Sequence, residues 1–171
     1  MTSKPHDSSL RVITEQVEKG PQRLFCGHCG KPPDREANAK KADPESRVCS
    51  SCGMGLLLEA PADVAPTPND PFLVVDGSLT ICALSRAAEE LLGTTETEAV
   101  NRHIGEFLVP GDSETPKGTN LGALLAWAAR GDTPGKSVVV RPTNTFGVRY
   151  WARVGPCGPP RAALLVLADA R

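Results

Sequence analysis

The chain has 171 residues, a formal net charge of -1, 40% hydrophobic and 23% charged residues, which is enough for one ordinary domain and a smaller module. That charge excludes a general attraction to phosphate backbones, so nucleic-acid binding would need a local basic patch. No stretch reaches the roughly 18 apolar residues of a membrane span and residues 1–9 hold no signal-like apolar core, so a cytoplasmic location with no membrane partner is expected.

Residues 1–23 read as a tail or short helix: Leu10, Ile13 and Val17 recur at helical spacing between Ser9 and Gly20, although alternation of Leu10, Val12 and Thr14 suits a strand equally well. Residues 24–58 follow as a module built on two closely spaced cysteine pairs, Cys26/Cys29 and Cys49/Cys52. Two residues between paired thiols let one tight turn aim both sulfurs at a single ion, and a second pair about twenty residues later completes a tetrahedral shell. Glycines follow both pairs, Gly30 and Gly53, where a backbone folding over a metal commonly needs positive φ. The spacing points to a structural Zn²⁺ site, with two disulfides or a redox dithiol as the competing chemistries. His28, inside the first pair, is expected to be exposed and not a ligand.

The insert at residues 31–48 reads as a charged loop with room for two helical turns. Between Cys26 and Gly55 the basic residues are Lys31, Arg35, Lys40, Lys41 and Arg47, against acidic Asp34, Glu36, Asp43 and Glu45. Four thiolates around Zn²⁺ would add a formal -2, a balance that does not favour a nucleic-acid finger. Residues 59–70 form a proline-rich segment without helical or strand period, read as a semi-stiff linker.

From residue 71 the pattern becomes that of a second domain, 71–171. Two apolar runs meet at Asp76-Gly77, a hairpin signal. Ser85 can cap a helix stopped by Gly93, Thr95 and Glu98 form a capping box, and Leu121, Leu124, Leu125 and Ala128 mark one face of a longer helix ending near Gly131. Strand-like runs at 137–141, 147–154 and 162–169 complete the order β-β-α-α-α-β-β-β.

That order resembles a PAS domain over about residues 70–171. The local matches are Asp76-Gly77 for the family's hairpin turn, Leu92-Gly93 closing the first helix, residues 101–112 ending Pro110-Gly-Asp112, and Asp169-Ala-Arg for the family's terminal Asp-Ile-Thr. The family's usual glycine is replaced by Asn101. The resemblance implies an α+β fold, with a five-stranded antiparallel sheet, helices on one face, and room for a small-molecule ligand between them; the cofactor-binding residues are unknown. Photoreactive flavin chemistry is not expected, because neither Cys82 nor Cys157 lies in the required helix motif. Haem is not expected either, because the long helix has no histidine. Cys82 reads as a small buried hydrophobe, His103 as a surface or helix-end residue, and Glu89, Glu90, Glu96 and Glu98 as solvated faces.

In residues 148–154 one face presents Val148, Tyr150, Ala152 and Val154, the other Arg149, Trp151 and Arg153. The second set reads as an interface, since Trp and Arg are enriched at binding hot spots. The first and last strands are apolar on both faces and so expect cover on both. Helices supply one cover; a second subunit, the N-terminal segment or the zinc module must supply the other, with self-association the leading expectation. No catalytic constellation is found, and enzyme activity is not expected. The sequence is read as a signalling or regulatory protein acting through protein contacts, as a homodimer and with another regulatory protein. Its alternatives are a zinc-finger transcription regulator touching nucleic acid through Lys31, Arg35, Lys40 and Lys41, and a thiol redox switch.

Overall fold

The computed structural model describes residues 20–34, 47–111, 120–132 and 135–169. The reading of residues 9–19 and most of the charged insert, including Arg35, Lys40 and Lys41, lie outside them. Among the described residues there are two antiparallel sheets. Strands β1 (Gln22–Cys26) and β2 (Leu57–Pro61) pair as a hairpin-like ribbon with Cys26 opposite Leu57 and Gln22 opposite Pro61. The larger sheet contains β3 (Phe72–Val75), β4 (Ile81–Leu84), β5 (Leu108–Pro110), β6 (Lys136–Pro142), β7 (Tyr150–Cys157) and β8 (Ala162–Asp169), in the spatial order β4-β3-β8-β7-β6-β5.

The helical elements between β4 and β6 are those their caps specify. Ser85 Oγ accepts from the Ala88 N–H to open α1 (Arg86–Leu92), and Gly93 closes it at φ 64°. Thr95 and Glu98 satisfy each other's backbone N–H groups around α2 (Glu96–Ala99), and His103 Nδ1 accepts from Gly105 N at the 3₁₀ turn Ile104–Glu106. Asn120 caps α3 (Leu121–Arg130), which buries Leu121, Leu124, Leu125, Ala128 and Ala129 along one stripe and ends at Gly131, φ 82°.

The sheet differs from the expected five strands by β5, which makes six. Three residues, Leu-Val-Pro, are too few to show a period, and Pro110 lacks the N–H a central strand would need but sits comfortably on an edge. The β3–β4 connection also differs from a two-residue Asp-Gly turn. It spans residues 76–80: Asp76 Oδ1 accepts from Ser78 N (2.8 Å) and Thr80 N (3.0 Å), and Leu79 takes φ 65°. The aspartate side chain, not Gly77, organises this loop. Strand β7 starts three residues later than expected, after Gly147 at φ 82°.

One face of the large sheet packs against α3 and its neighbours through a continuous apolar cluster that includes Leu73, Val75, Ile81, Leu84, Leu125, Val138, Val154, Leu165 and Leu167. The opposite face is covered in part by the small ribbon. Phe25, Leu58 and Ala60, with Val64 and Ala65 just beyond β2, pack on Phe72, Val74, Cys157, Ala162, Leu164 and Val166. Phe25 and Phe72 meet edge to face, centroids 5.6 Å apart at 89°.

The expected linker is therefore not a spacer. Its first residues belong to β2, Val64, Ala65 and Pro66 are buried, and Val64 lies so close over Gly155 that a Cβ there would come within 2.8 Å of it. The prolines that suggested a free tether instead shape a turn whose small apolar residues fill the groove between ribbon and sheet.

Candidate metal centre

The two cysteine pairs occupy matched turns at the end of the ribbon. In the first, Cys26 O accepts from Gly30 N; in the second, Cys49 O accepts from Gly53 N, both at 2.9 Å, and both glycines have φ 69°. Gly55 is fixed by close approach: a Cβ there would lie 2.4 Å from Cys26 Sγ and 2.8 Å from His28 Cβ. The turns bring the sulfurs of Cys26, Cys29, Cys49 and Cys52 within 4.8 Å of one another.

Cys26 and Cys52 sulfurs are 3.6 Å apart and those of Cys29 and Cys49 3.9 Å. Metal–sulfur bonds of 2.3 Å in a tetrahedron place sulfurs about 3.8 Å apart, so the donor set fits a single ion, whereas a disulfide would need about 2.05 Å. Backbone N–H groups aim at the cluster: His28 N at 3.4 Å and Cys29 N at 3.5 Å to Cys26 Sγ, and Gly55 N at 3.5 Å to Cys52 Sγ.

The thiols differ electrostatically. Burial raises Cys26 and Cys29, outweighing the backbone N–H groups that favour their thiolates. Burial opposes ionisation of Cys52 too, but there the Gly55 and Met54 N–H groups and the neighbouring thiols prevail and pull it down to about 6. Crowding four anions into this space requires a cation, which is what a bound divalent metal supplies.

His28 is not the exposed bystander expected from sequence. It is partly buried, and its Nδ1 lies 2.9 Å from Glu96 Oε2 at the start of α2. Glu96 Oε1 accepts from Leu84 N at 3.2 Å, and the Glu96 N–H donates to Glu89 Oε1 at 2.6 Å. One cysteine turn is thereby joined to β4, α1 and α2, and Glu96 and Glu89 are not simply solvated. Nothing local in the sequence marks a partner 68 residues away. The ribbon is pinned at its other side by reciprocal bonds between Glu59 and Gly158 (2.6 and 3.0 Å), and by Arg47, which donates to Leu57 O at 2.9 Å and to Pro159 O.

The other residues singled out in the sequence are dispersed. Cys82 is exposed rather than buried, with its thiol 3.6 Å from Thr80 O; Cys157 is buried under the ribbon, and burial, with the nearby Cys82, pushes it up to about 12. Trp151 and Arg153 lie on the outer face of β7, whereas Arg149 precedes the strand. Arg153 turns inward to the ribbon, donating to Asp63 O at 3.2 Å and pairing with Asp70 at 3.6 Å. Trp151 remains 44% exposed. A separate cleft of ≈ 200 Å³ lies at the end of α1, lined by Leu92, Thr94, Arg102, Phe107 and Asn144, with the Arg102 guanidinium 4.9 Å above the Phe107 ring.

No family model matches the chain, and no curated protein matches it. The solved structures it resembles are PAS domains. That of nitrogen regulation protein NR(II) from Vibrio parahaemolyticus is 14% identical, with 58% of this chain and 88% of that chain covered at a TM-score of 0.43. For the PAS domain of an HTR-like protein from Haloarcula marismortui the values are 19%, 58%, 80% and 0.45. For that of a Desulfitobacterium hafniense protein they are 15%, 59%, 92% and 0.42. Among the described residues, no helix is long and apolar enough to cross a membrane.

Proposed function

We propose that this chain is a non-catalytic regulatory protein in which a Zn²⁺-bound ribbon is built onto a PAS-like domain, and that it works through protein contacts, first of all with a second copy of itself. Zinc is the ion that four thiolates at these separations suit best, and a shell of four protein ligands leaves no open position for catalysis. The observation that carries the contact reading is Trp151. It stands on the outer face of β7, the face whose other half is buried under the ribbon, with Val139 and Ala168 as its cross-strand neighbours. An indole held on a rigid strand offers large contact area at little cost in conformational entropy.

Nucleic-acid binding is less well supported. Arg47, one of the basic residues of the insert, is committed to Leu57 and Pro159 within the protein. Sedimentation velocity tests the main reading: Trp151→Glu should shift a dimer to monomers, and a dimer untouched by it overturns self-association through this face. A native mass spectrum should show one zinc per chain, and any retained mass beyond zinc would identify a ligand of the PAS-like domain.

A further inference from the structure

The four sulfurs of the metal centre are not equally open to solvent. Cys26 and Cys49, the first cysteine of each turn, are buried, while Cys29 and Cys52, the second of each, are partly exposed. Close sulfur contacts run between the turns, and each joins a partly exposed thiol to a buried one: Cys52 to Cys26 at 3.6 Å and Cys29 to Cys49 at 3.9 Å. We infer that the centre is also a peroxide-operated release site: hydrogen peroxide converts these two pairs into disulfides, which expel the ion and hold the turns together in its place. This goes beyond the structural role given to the ion above and rests on that reading of the metal centre.

The order of events follows from exposure. Peroxide reaches the outer sulfurs first. The sulfur of Cys52 attacks one peroxide oxygen, the O–O bond breaks, and a sulfenic acid forms while the other oxygen leaves as hydroxide and is protonated to water. The sulfur of Cys26, already 3.6 Å away, then attacks that of Cys52. The S–S bond forms, the S–O bond breaks, and the second oxygen also leaves as water. Two thiolates are thus oxidised, one peroxide is reduced to two waters, and two protons are consumed. Cys29 and Cys49 repeat the sequence with a second peroxide, and a centre with no thiolate left cannot hold the ion. Because each exposed sulfur has a buried neighbour this close, its sulfenic acid is trapped before further peroxide can carry it to the sulfinic acid.

Pairing across the turns needs little movement. Each pair must close by less than about 2 Å to reach disulfide length. The second turn already presses on the first, since a Cβ at Gly55 would lie 2.4 Å from Cys26 Sγ. The two bridges would span 26 and 20 residues of sequence. Loops of that length make a cross-link an effective restraint on the chain, whereas a bridge within one turn would tie the two turns to nothing. The ribbon therefore stays seated over Cys157 after the ion has left, and this separates oxidation from simple removal of the metal.

The test uses the zinc-loaded full chain carrying Cys82→Ser, which removes an exposed competing thiol. Hydrogen peroxide is added stepwise, zinc release is followed with a weak colorimetric chelator, and the alkylated protein is cut with trypsin, which separates residues 24–35 from 48–86. At one peroxide per chain these peptides should be joined, with fragment ions placing the bridge at Cys26–Cys52 or Cys29–Cys49. A second peroxide should complete both bridges and the release of zinc. Iodoacetamide labelling of Cys157 should then stay within about threefold of the zinc-loaded rate, and dithiothreitol with added zinc should restore the starting mass. Bridges within a turn, which leave the two peptides separate, overturn the inference. So do Cys26–Cys49 or Cys29–Cys52 pairing, sulfinic acids without bridges, or zinc retained under peroxide; in each of these cases zinc bound at the start still upholds the metal centre. A chain that carries no zinc and takes none up fails that reading and the inference together.

Discussion

The two halves of the outer face belong to one continuous sheet, yet the ribbon covers one and leaves Trp151 on the other exposed. Over β3 and β8, the rings of Phe25 and Phe72 and the side chains of Leu58, Val64, Leu164 and Val166 exclude water. Over β6 and the start of β7, Trp151 keeps nearly half of its surface in solvent. The difference lies in what is anchored above the face. The ribbon is held by the cysteine cluster at one end, by Glu59 and Arg47 along its side and by Arg153 at the turn that follows, so its apolar side cannot drift off the sheet. The anchors thus lie at both ends and along one side of the ribbon, with the first cysteine turn itself close to Phe72.

The largest way to break this contrast is to remove the metal. Apparent binding energies of structural zinc in small modules, about 10–16 kcal/mol, match or exceed the whole stability of an ordinary domain. Chelation, or Cys49→Ser, should release the ribbon and make the sealed half resemble the open one. Cys157 reports this directly. With its thiol pushed up to about 12, only about one in ten thousand is thiolate at pH 8; uncovering returns it toward the ordinary value and raises that fraction to about one in ten. Iodoacetamide labelling of Cys157, read by peptide mass in a Cys82→Ser background, should accelerate at least a hundredfold after chelation. Continued protection would show that packing alone holds the ribbon.

A smaller effect compares one aromatic from each half. Phe25→Ala removes a fully buried ring and its edge contact with Phe72, for an expected loss of about 3–5 kcal/mol in urea unfolding. Trp151→Ala, in monomeric protein, should change stability by about 1 kcal/mol or less, because half of the indole surface is already wet. Equal losses would mean that the open half is covered in solution by something as well packed as the ribbon.

Much of the larger domain was legible in the sequence because its signals are local. Ser85 and Gly93, Thr95 and Glu98, and the stripe from Leu121 to Ala128 each act within one or two turns of helix, and the cysteine spacing encodes its own tight turns. What could not be read was long-range assembly. The prolines of residues 59–70 have the same composition whether they cross open solvent or lie in a groove; Val64 and Ala65 decide between these only when Gly155 is placed beneath them. His28 offered no sign of Glu96, and Arg153 looked like part of a free interface because Asp63 and Asp70 are distant in sequence. The requirement for cover on both faces of β3 and β8 was visible, but its supplier was not.

The smallest expected effect concerns the link between the cysteine turn and the helices. His28 and Glu96 are each about a quarter exposed, so their attraction is partly screened and His28→Ala should cost about 1 kcal/mol or less. Glu96→Ala should cost more, since Leu84 N–H also loses its acceptor and stays partly buried without one. Glu96→Gln separates the two contributions: its amide oxygen can still accept from Leu84, while the charge facing His28 is gone. In a double-mutant cycle, His28→Ala and Glu96→Gln should couple by about 0.5–1 kcal/mol and weaken in high salt. Zero coupling would reduce the contact to proximity and leave the ribbon's hold on the domain to Phe25, Arg47 and Glu59. Measurable coupling would instead make the first cysteine turn a member of the helical layer as well as of the metal centre, so that release of the ion is felt at α1 and α2 as well as under the ribbon.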